Sequence, residues 1–298
     1  MKRVRIVACL AFVCMMAAVN FTSADTIRGI DIDFVTIGNA GNAGHYSLNA
    51  DPYGCGAVSY NYRIGKYEIT NAQWNTFTAA AGAPTGNPTS AYDKSAVYTG
   101  AQQPTNMVSW YEAAQFSNYL TSGNKYSGAY QFDISGNFLS IDRVSSISTY
   151  GTTYVIPTED EWYKAAYFKP DASGYSLYAN GTNTGPIAGV NSNHKGVIGS
   201  PWDIITNGTQ EQNGTYDMMG NVWEWNEALI TGPYEPLRGR RGGSFDGWCP
   251  SNVNSSGRLD GPPWDEVYNR GFRVASVPEP ATLFLLTLGG LFLRKRRK

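Results

Sequence analysis

Between positions 25 and 276, apolar residues occur in short runs that are separated by Gly, Asn, Ser and Thr. Short apolar runs between turn-forming residues are typical of an irregular α+β domain with much ordered loop. The segment has no internal repeat and no heptad pattern, and it is long enough for one large domain with a real core. The pattern therefore predicts a single domain built from short helices and short strands.

Three helices are predicted by capping boxes, in which a Ser or Thr and a Glu or Gln three residues later cap each other's backbone N–H groups. The pairs are Thr70 with Gln73, Ser109 with Glu112, and Thr158 with Glu161. Each cap is followed by an apolar face that contains a tryptophan, and we expect these rings to point into the core: Trp74, Trp110 and Trp162.

Strands are predicted where apolar and β-branched residues cluster between turn signals. These segments are 60–64, 154–156, 243–245 and 272–275. Three stretches rich in polar and turn-forming residues are predicted to be loops or insertions, namely 81–99, 121–149 and 171–213.

The first 24 residues have the organisation of a secretory signal peptide. A basic start is followed by an apolar run at 6–19 and by the small residues Ser23 and Ala24, so we expect cleavage before Asp25. The alternative is a short membrane anchor. The run is shorter than the roughly 20 residues that span a bilayer, which favours the signal peptide.

The segment 277–298 begins with Val-Pro-Glu-Pro, continues with an apolar stretch at 281–293 and ends in five basic residues. Proline fixes φ and keeps this start extended, and the basic end is expected to stay on the cytoplasmic side of a bilayer. The order of parts resembles the PEP-CTERM sorting tail, which implies recognition by an exosortase in a Gram-negative bacterium. The alternative is an ordinary tail anchor. The prediction is transient inner-membrane association, followed by release to the cell surface or extracellular matrix.

Charge is distributed unevenly along the chain. Eight of the 23 basic residues and one of the 24 acidic residues lie in the two end segments, which leaves the body with 15 basic against 23 acidic residues, a balance of −8. Such a body is not suited to nucleic acid, because phosphates need basic patches. It favours cations and solubility outside the cell.

Two cysteines, Cys55 and Cys249, remain once Cys9 and Cys14 leave with the signal peptide. Export permits a disulfide between them, and a single pair has one connectivity. A disulfide and two free thiols are both compatible with the sequence.

Seven motifs occur in one order along the body and resemble those of the formylglycine-generating enzyme family, also called sulfatase-modifying factor. They are FVTIG at 34–38, GKYEITN at 65–71, PTNMVSW at 104–110, IPTEDEW at 156–162, GNVWEW at 220–225, RGGSF at 241–245 and GFRV at 271–274. The resemblance implies a C-type-lectin-like α+β fold over 25–276, mostly irregular around a small twisted sheet.

The resemblance also implies an oxidase site made of two cysteine thiolates that bind Cu(I), a soft ion selected by such ligands. The matching positions are Gly247 and Asn252, and Cys249 lies between them. We therefore assign no catalytic residue and expect no copper. The alternative is a divergent oxidoreductase that uses Cys249 in an altered site.

A structural Ca²⁺ site is implied at GNVWEW by the same resemblance. Its ligands are the side chain of Asp217, the carbonyls of Gly220 and Val222, and the carboxylate of Glu224. Carboxylates and carbonyls are the hard oxygen ligands that Ca²⁺ takes, and glycine permits the tight bend. The alternative is that Glu224 pairs with an arginine such as Arg273.

The combined interpretation is an exported, non-catalytic, calcium-stabilised domain of the surface or matrix. Its loops are expected to bind polysaccharide or protein. Aromatic rings suit sugar stacking, and Trp248 and Trp264 lie outside the strongest motifs, so we expect them to be the exposed tryptophans.

Overall fold

The computed structural model describes residues 24–204, 209–231 and 236–277. The predicted signal peptide and sorting tail lie outside these ranges, except for Ala24 and Val277. Within the ranges, no helix is both long and apolar enough to cross a membrane.

Four α-helices lie in the described part of the chain: α1 Asn71–Ala81, α2 Trp110–Ser122, α3 Arg143–Tyr150 and α4 Glu159–Tyr167. The helices α1, α2 and α4 begin at the three predicted capping boxes, and both reciprocal hydrogen bonds are formed in each. These predictions are confirmed because a capping box is a local interaction between residues three apart.

The strands of the described ranges are short: β1 Asp25–Ile27, β2 Ile30–Ile32, β3 Phe34–Ile37, β4 Tyr62–Gly65, β5 Tyr130–Phe132, β6 Phe138–Ile141, β7 Thr153–Val155, β8 Trp223–Ile230, β9 Leu237–Arg241, β10 Leu259–Gly261, β11 Arg270–Gly271 and β12 Ala275–Val277. Two four-stranded sheets form, with the orders β3-β4-β12-β7 and β10-β9-β8-β11. The pairs β1-β2 and β5-β6 stand alone as antiparallel ribbons.

The first sheet joins distant parts of the chain. Its strand β12 lies between β4 and β7, and Ala275 pairs with both Ile64 and Val155. All three residues are buried. The last strand of the body is therefore an interior strand of the sheet.

The second sheet carries the GNVWEW segment. Strand β8 pairs in parallel with β11, so that Glu224 stands opposite Gly271, and it pairs antiparallel with β9, with an irregularity between Trp225 and Leu229. Both Glu224 and Trp225 are fully buried. This sheet positions the motif carboxylate inside the protein.

Several boundary predictions were wrong. Segment 121–149, predicted as loop, contains β5, β6 and α3. The helix α3 is only 8 residues long, and its cap is a lone Asp142, whose Oδ1 accepts from Ser145 N–H, rather than a capping box. The predicted strand 243–245 is irregular and leads into a turn at Phe245, because Gly242 and Gly243 both have positive φ, which a strand does not permit. The chain between β11 and β12 is irregular, so only the end of the predicted strand 272–275 is extended in a ladder.

The sequence analysis did not predict strand β9, which precedes that turn. Its inward positions are arginines, so it lacks the apolar pattern of a buried strand. Arg238 and Arg240 are both buried, with guanidinium groups 4.0 Å and 5.3 Å from the ring centres of Trp110 and Trp225. Stacking on aromatic faces lets an arginine occupy an inward position that normally indicates an apolar residue.

The tryptophans of the capped helices and of GNVWEW form much of the core. Trp110, Trp162 and Trp225 are fully buried, whereas Trp248 is 81 % exposed as predicted. Trp264 is only partly exposed. Segment 171–213 contains no helix or strand in its described residues, 171–204 and 209–213, which confirms the loop prediction there.

Candidate functional site

The GNVWEW and RGGSF motifs meet through backbone hydrogen bonds. Gly220 N–H donates to the Gly242 carbonyl at 2.7 Å, and Phe245 N–H donates to the Asn221 carbonyl at 2.7 Å. Gly220 has a φ of 113°, and a Cβ there would overlap the Asn193 carbonyl, so only glycine fits. Asn221 and Phe245 are therefore adjacent, and Gly247, the first position at which the resemblance implies a cysteine, lies two residues after this contact.

The surface at those cysteine positions is organised by Asp246. Its carboxylate accepts hydrogen bonds from Ser244 Oγ, Tyr268 Oη and Asn269 Nδ2 at 2.7, 2.8 and 3.0 Å. Partial burial raises the pKa of Asp246, but these hydrogen bonds outweigh it and hold the pKa below its usual value. The adjacent Gly247 accepts from Lys195 N–H through its carbonyl.

The two thiols of the body are free and have different environments. Cys55 is buried, and burial raises its pKa to about 11. Cys249 is exposed, its sulfur is 2.7 Å from Ser251 Oγ, and hydrogen bonds from Ser251 lower its pKa. Of the two alternatives that the sequence allowed, the structure shows two free thiols.

Alkylation should distinguish these thiols. We expect iodoacetamide at neutral pH to modify Cys249 in the folded protein and to leave Cys55 intact, because the thiolate is the nucleophile and must be accessible. Peptide mass spectrometry gives the site, and labelling in guanidinium chloride, where both should react, is the control. Modification of Cys55 under native conditions, at a rate similar to that of Cys249, would contradict this assignment.

The predicted calcium ligand Glu224 is engaged with Arg273. The Nε and NH2 groups of Arg273 donate to the two carboxylate oxygens at 2.6 and 2.7 Å, and Trp162 Nε1 donates to Oε2 at 2.7 Å. Both members of this ion pair are fully buried. The pairing that the sequence analysis named as the alternative is therefore present, and it leaves Oε1 with a single described donor.

Asp217 is also buried, but only half of its carboxylate is satisfied. Oδ1 accepts from Trp202 Nε1 at 2.8 Å, while Oδ2 has no hydrogen-bond partner among the described residues. Burial raises the pKa of Asp217 to about 7. A buried carboxylate oxygen without a donor fits a hard cation that takes oxygen ligands.

Two further carboxylates, missed by the sequence analysis, lie within electrostatic reach. Glu68 accepts from Asn221 Nδ2 at 2.6 Å and from Val222 N–H at 3.1 Å, and burial, followed by Asp217, raises its pKa well above the usual value. Burial raises the pKa of Glu211 to about 8. The sequence signal that could have identified Glu68 as a buried acid is its position between Tyr67 and Ile69 in the GKYEITN motif. The cluster has more buried carboxylates than the one guanidinium of Arg273 can neutralise.

The four predicted ligands lie in this region. Gly220 and Val222 are buried beside the acidic cluster, and Asp217 and Glu224 interact electrostatically. No group of three or more His, Cys, Asp or Glu side chains in the described ranges is arranged as a metal site. The predicted calcium ligands are two carboxylates and two backbone carbonyls, so the absence of a group of three or more such side chains does not test that set. The calcium assignment stays a prediction.

Comparisons with known structures identify the fold. Treponema denticola variable protein 1 superimposes with a TM-score of 0.60 and 22 % identity, covering 86 % of this chain and 99 % of its own. CarF gives 0.58 at 20 % identity, covering 84 % and 99 %, and PvdO from Pseudomonas aeruginosa gives 0.59 at 15 %, covering 86 % and 98 %. These likenesses confirm the α+β, C-type-lectin-like fold.

Sequence comparisons agree with this result. A curated relative, the chaperone protein LppX of Paenibacillus barcinonensis, is 27 % identical over 220 residues, which is 66 % of this chain and 72 % of that protein. Residues 276–298 match the PEP-CTERM protein-sorting motif, which indicates export and sorting to the cell envelope or surface through exosortase processing. Residues 55–277 match the sulfatase-modifying factor enzyme 1-like domain, and the chain therefore belongs to the formylglycine-generating enzyme family.

Proposed function

We propose that this exported member of the family is a non-catalytic domain of the cell surface or extracellular matrix, where it binds polysaccharide. The observation that carries the proposal is the replacement of the family's cysteine pair by Gly247 and Asn252. The sorting tail delivers the domain, and the loops around the core supply the binding surface.

The chemistry of the remaining thiols supports this proposal. A Cu(I) site in this family needs two thiolates close together, and Cu(I) selects such soft ligands. Cys55 is buried with a raised pKa, so it is a neutral thiol at physiological pH, and Cys249 is exposed at the surface. These two groups do not fit a bis-thiolate donor set.

The alternative function is a divergent oxidoreductase that uses Cys249 alone, and the exposure and lowered pKa of this thiol are in its favour. Both functions are tested by incubating the purified protein with copper, oxygen and a cysteine-containing sulfatase peptide. We expect the mass of the peptide to stay unchanged. Catalytic conversion that disappears in Cys249→Ser would overturn the non-catalytic assignment.

We further propose that Ca²⁺ stabilises the folded domain through Asp217, Glu224 and the carbonyls of Gly220 and Val222. The support is the unpartnered Oδ2 of Asp217 within an excess of buried carboxylates. An ion that binds only the native state at about a hundredfold above its Kd adds about 2.7 kcal/mol to the free energy of unfolding.

The matching prediction uses Asp217→Asn, which removes the unpartnered carboxylate oxygen but keeps an acceptor for Trp202. Asparagine also tolerates the positive φ of this position, 61°, so the variant should fold. We expect Ca²⁺ to raise the Tm of the wild-type protein relative to chelator, and this rise to shrink strongly in the variant. Thermal unfolding with Ca²⁺, with Mg²⁺ as the control ion, and with chelator gives the answer. A wild-type Tm that does not respond to chelator would reject the site.

A further inference from the structure

A cavity lies between the first turn of α2, strand β6, the facing ends of β8 and β9, and the segment 263–264. It shares no lining residue with the acidic cluster described above. Its volume is about 550 Å³, which falls within the range of small-molecule sites in proteins, about 300–1,000 Å³. We refer to it as the Trp264 cavity, after the partly exposed tryptophan in its wall.

The walls of the Trp264 cavity come from remote parts of the chain and are held by contacts of their own. Trp110 N–H donates to the Pro263 carbonyl at 3.0 Å, which fixes the residue before Trp264 at the start of α2. Tyr111 and Phe138 pack against each other with ring centres 5.8 Å apart. The cavity is therefore preformed, and a ligand that enters it does not have to order these walls.

Trp264 presents an unused aromatic ring to this cavity. It forms no ring contact with another aromatic residue of the described ranges, and its Nε1 donates to no described atom. By contrast, the buried Trp110 and Trp225 donate Nε1 to backbone carbonyls at 3.0 and 2.9 Å. A partly exposed tryptophan without such contacts in the fold is suited to a ligand that has an apolar face.

Arg238 supplies unpartnered donors in the same cavity. The residue is only 7 % exposed, and its guanidinium lies 4.0 and 5.5 Å from the ring centres of Trp110 and Phe138. Its Nη1 donates to the Glu227 carbonyl at 2.9 Å, whereas Nε and Nη2 have no hydrogen-bond partner among the described residues. Both of these atoms keep accessible surface. Stacking therefore holds two free donors in place for an acceptor on a ligand.

The charges of the lining favour a neutral ligand. Arg238 and Glu227 are the charged residues among the described residues of the lining, and they have opposite signs. The Glu227 carboxylate is already engaged by Tyr130 Oη at 2.6 Å and by Arg143 Nε at 3.0 Å. An anion would lie near this carboxylate and a cation near the guanidinium, and either ion would lose water in a lining that is mostly aromatic and aliphatic. A neutral ligand with hydroxyl groups avoids both costs.

A pyranose ring with equatorial hydroxyls matches this arrangement. Aromatic rings pack against the C–H face of such a sugar, while polar groups bind the hydroxyls at its edge. In a β-linked glucose unit every ring substituent is equatorial, so both faces carry only C–H bonds. Trp264 and Tyr111 supply the aromatic rings, and Arg238 and the exposed Ser140 supply the hydrogen-bonding groups.

We propose that the Trp264 cavity binds a neutral β-linked glucose unit of a polysaccharide. The C–H face of the sugar would pack on Trp264, and a hydroxyl oxygen would accept from the free donors of Arg238. This inference rests on the proposed polysaccharide-binding function and names its site and its class of ligand.

The test is calorimetric titration of the full chain with a short oligomer of β-1,4-linked glucose. The ligand controls are oligomers of the same length and linkage made of glucosamine and of glucuronic acid, which add a positive or a negative charge to the same ring. We expect the glucose oligomer to bind at least about tenfold more tightly than either charged oligomer. No binding of the glucose oligomer, or equally tight binding of a charged one, would overturn the proposal.

Two tryptophan variants locate the site. Trp264→Ala removes the ring from the cavity, and Trp248→Ala, the matched control, removes a tryptophan that is 81 % exposed elsewhere on the surface. We expect Trp264→Ala to weaken binding of the glucose oligomer at least about tenfold while its Tm stays that of the wild type, and Trp248→Ala to bind normally. Unchanged affinity in Trp264→Ala would overturn the proposal.

Arg238→Lys keeps the positive charge but removes the planar donor group, so we expect it to weaken binding of the same oligomer, with thermal unfolding as the check that it is folded. A folded Arg238→Lys protein with wild-type affinity would contradict the role given to these donors. Binding that is lost in Trp248→Ala and kept in Trp264→Ala would reject this cavity but leave the proposed function standing. Binding of another polysaccharide together with no binding of the glucose oligomer would have the same meaning.

Discussion

Replacing Glu224 by Gln is expected to lower the free energy of unfolding by about 3–5 kcal/mol, in chelator as well as in Ca²⁺. The carboxylate accepts two hydrogen bonds from Arg273, and both side chains are fully buried. Glutamine keeps the shape but removes the carboxylate that is hydrogen-bonded to the guanidinium, so that Arg273 keeps only its longer-range interactions with Glu68 and Glu211. It also sets an amide N–H₂ group against a donor, either Arg273 or Trp162. Removing one partner of a buried pair is costly for this reason, whatever the net contribution of the intact pair.

Urea unfolding of both proteins, with Ca²⁺ and with chelator, measures this effect. The comparison with Asp217→Asn separates two roles of the acidic cluster, because Asp217 bonds to Trp202 and not to Arg273 in the described contacts. We expect Asp217→Asn to change mainly the response to Ca²⁺, and Glu224→Gln to lower stability under both conditions. A loss below about 1 kcal/mol in chelator for Glu224→Gln would mean that the ion pair does not have the structural role assigned to it.

A chain that ends at Val277 should fold with the stability of the full-length body, whereas a chain that ends at Val274 should not fold cooperatively. The three residues that differ are strand β12, which lies between β4 and β7. Their removal splits the first sheet, leaves backbone groups of both neighbouring strands without partners and opens the core beside Ala275 and Val277. The expected effect is loss of the folded state.

Soluble expression, far-UV circular dichroism and thermal unfolding of the two truncated chains give the result. A third chain that ends at Pro280 keeps the Pro-Glu-Pro segment and is the control, and it should match the chain that ends at Val277. Cooperative unfolding of the 274 chain at the same temperature would show that β12 is dispensable. The sorting motif begins directly after β12, which is an interior strand. Exosortase processing beyond that strand can therefore release the tail without disturbing the sheet.

Much of the fold could be predicted from the sequence because its signals are local. The helices α1, α2 and α4 begin where capping boxes connect residues three apart, and such contacts form whatever the rest of the chain does. The order of the seven motifs indicated the family, and the position of Trp248 outside the strongest motifs indicated its exposure, although Trp264, predicted on the same ground, is only partly exposed. The element boundaries were less predictable: β9 has buried arginines that depend on the rings of Trp110 and Trp225, and these are remote in sequence or on another strand.

The chemistry of the sites depended on tertiary structure. The partner of Glu224 lies 49 residues away on the other side of β11, and the sequence could name Arg273 only as one possibility. Whether Cys55 and Cys249 pair depended on burial of the first and exposure of the second. Glu68, which lies much earlier in the chain, joins Asp217 and Glu224 in one buried acidic cluster. Local hydrogen bonds and capping determined the helices, whereas desolvation and long-range packing determined which charges are paired, which are left unpaired, and hence where a ligand can bind.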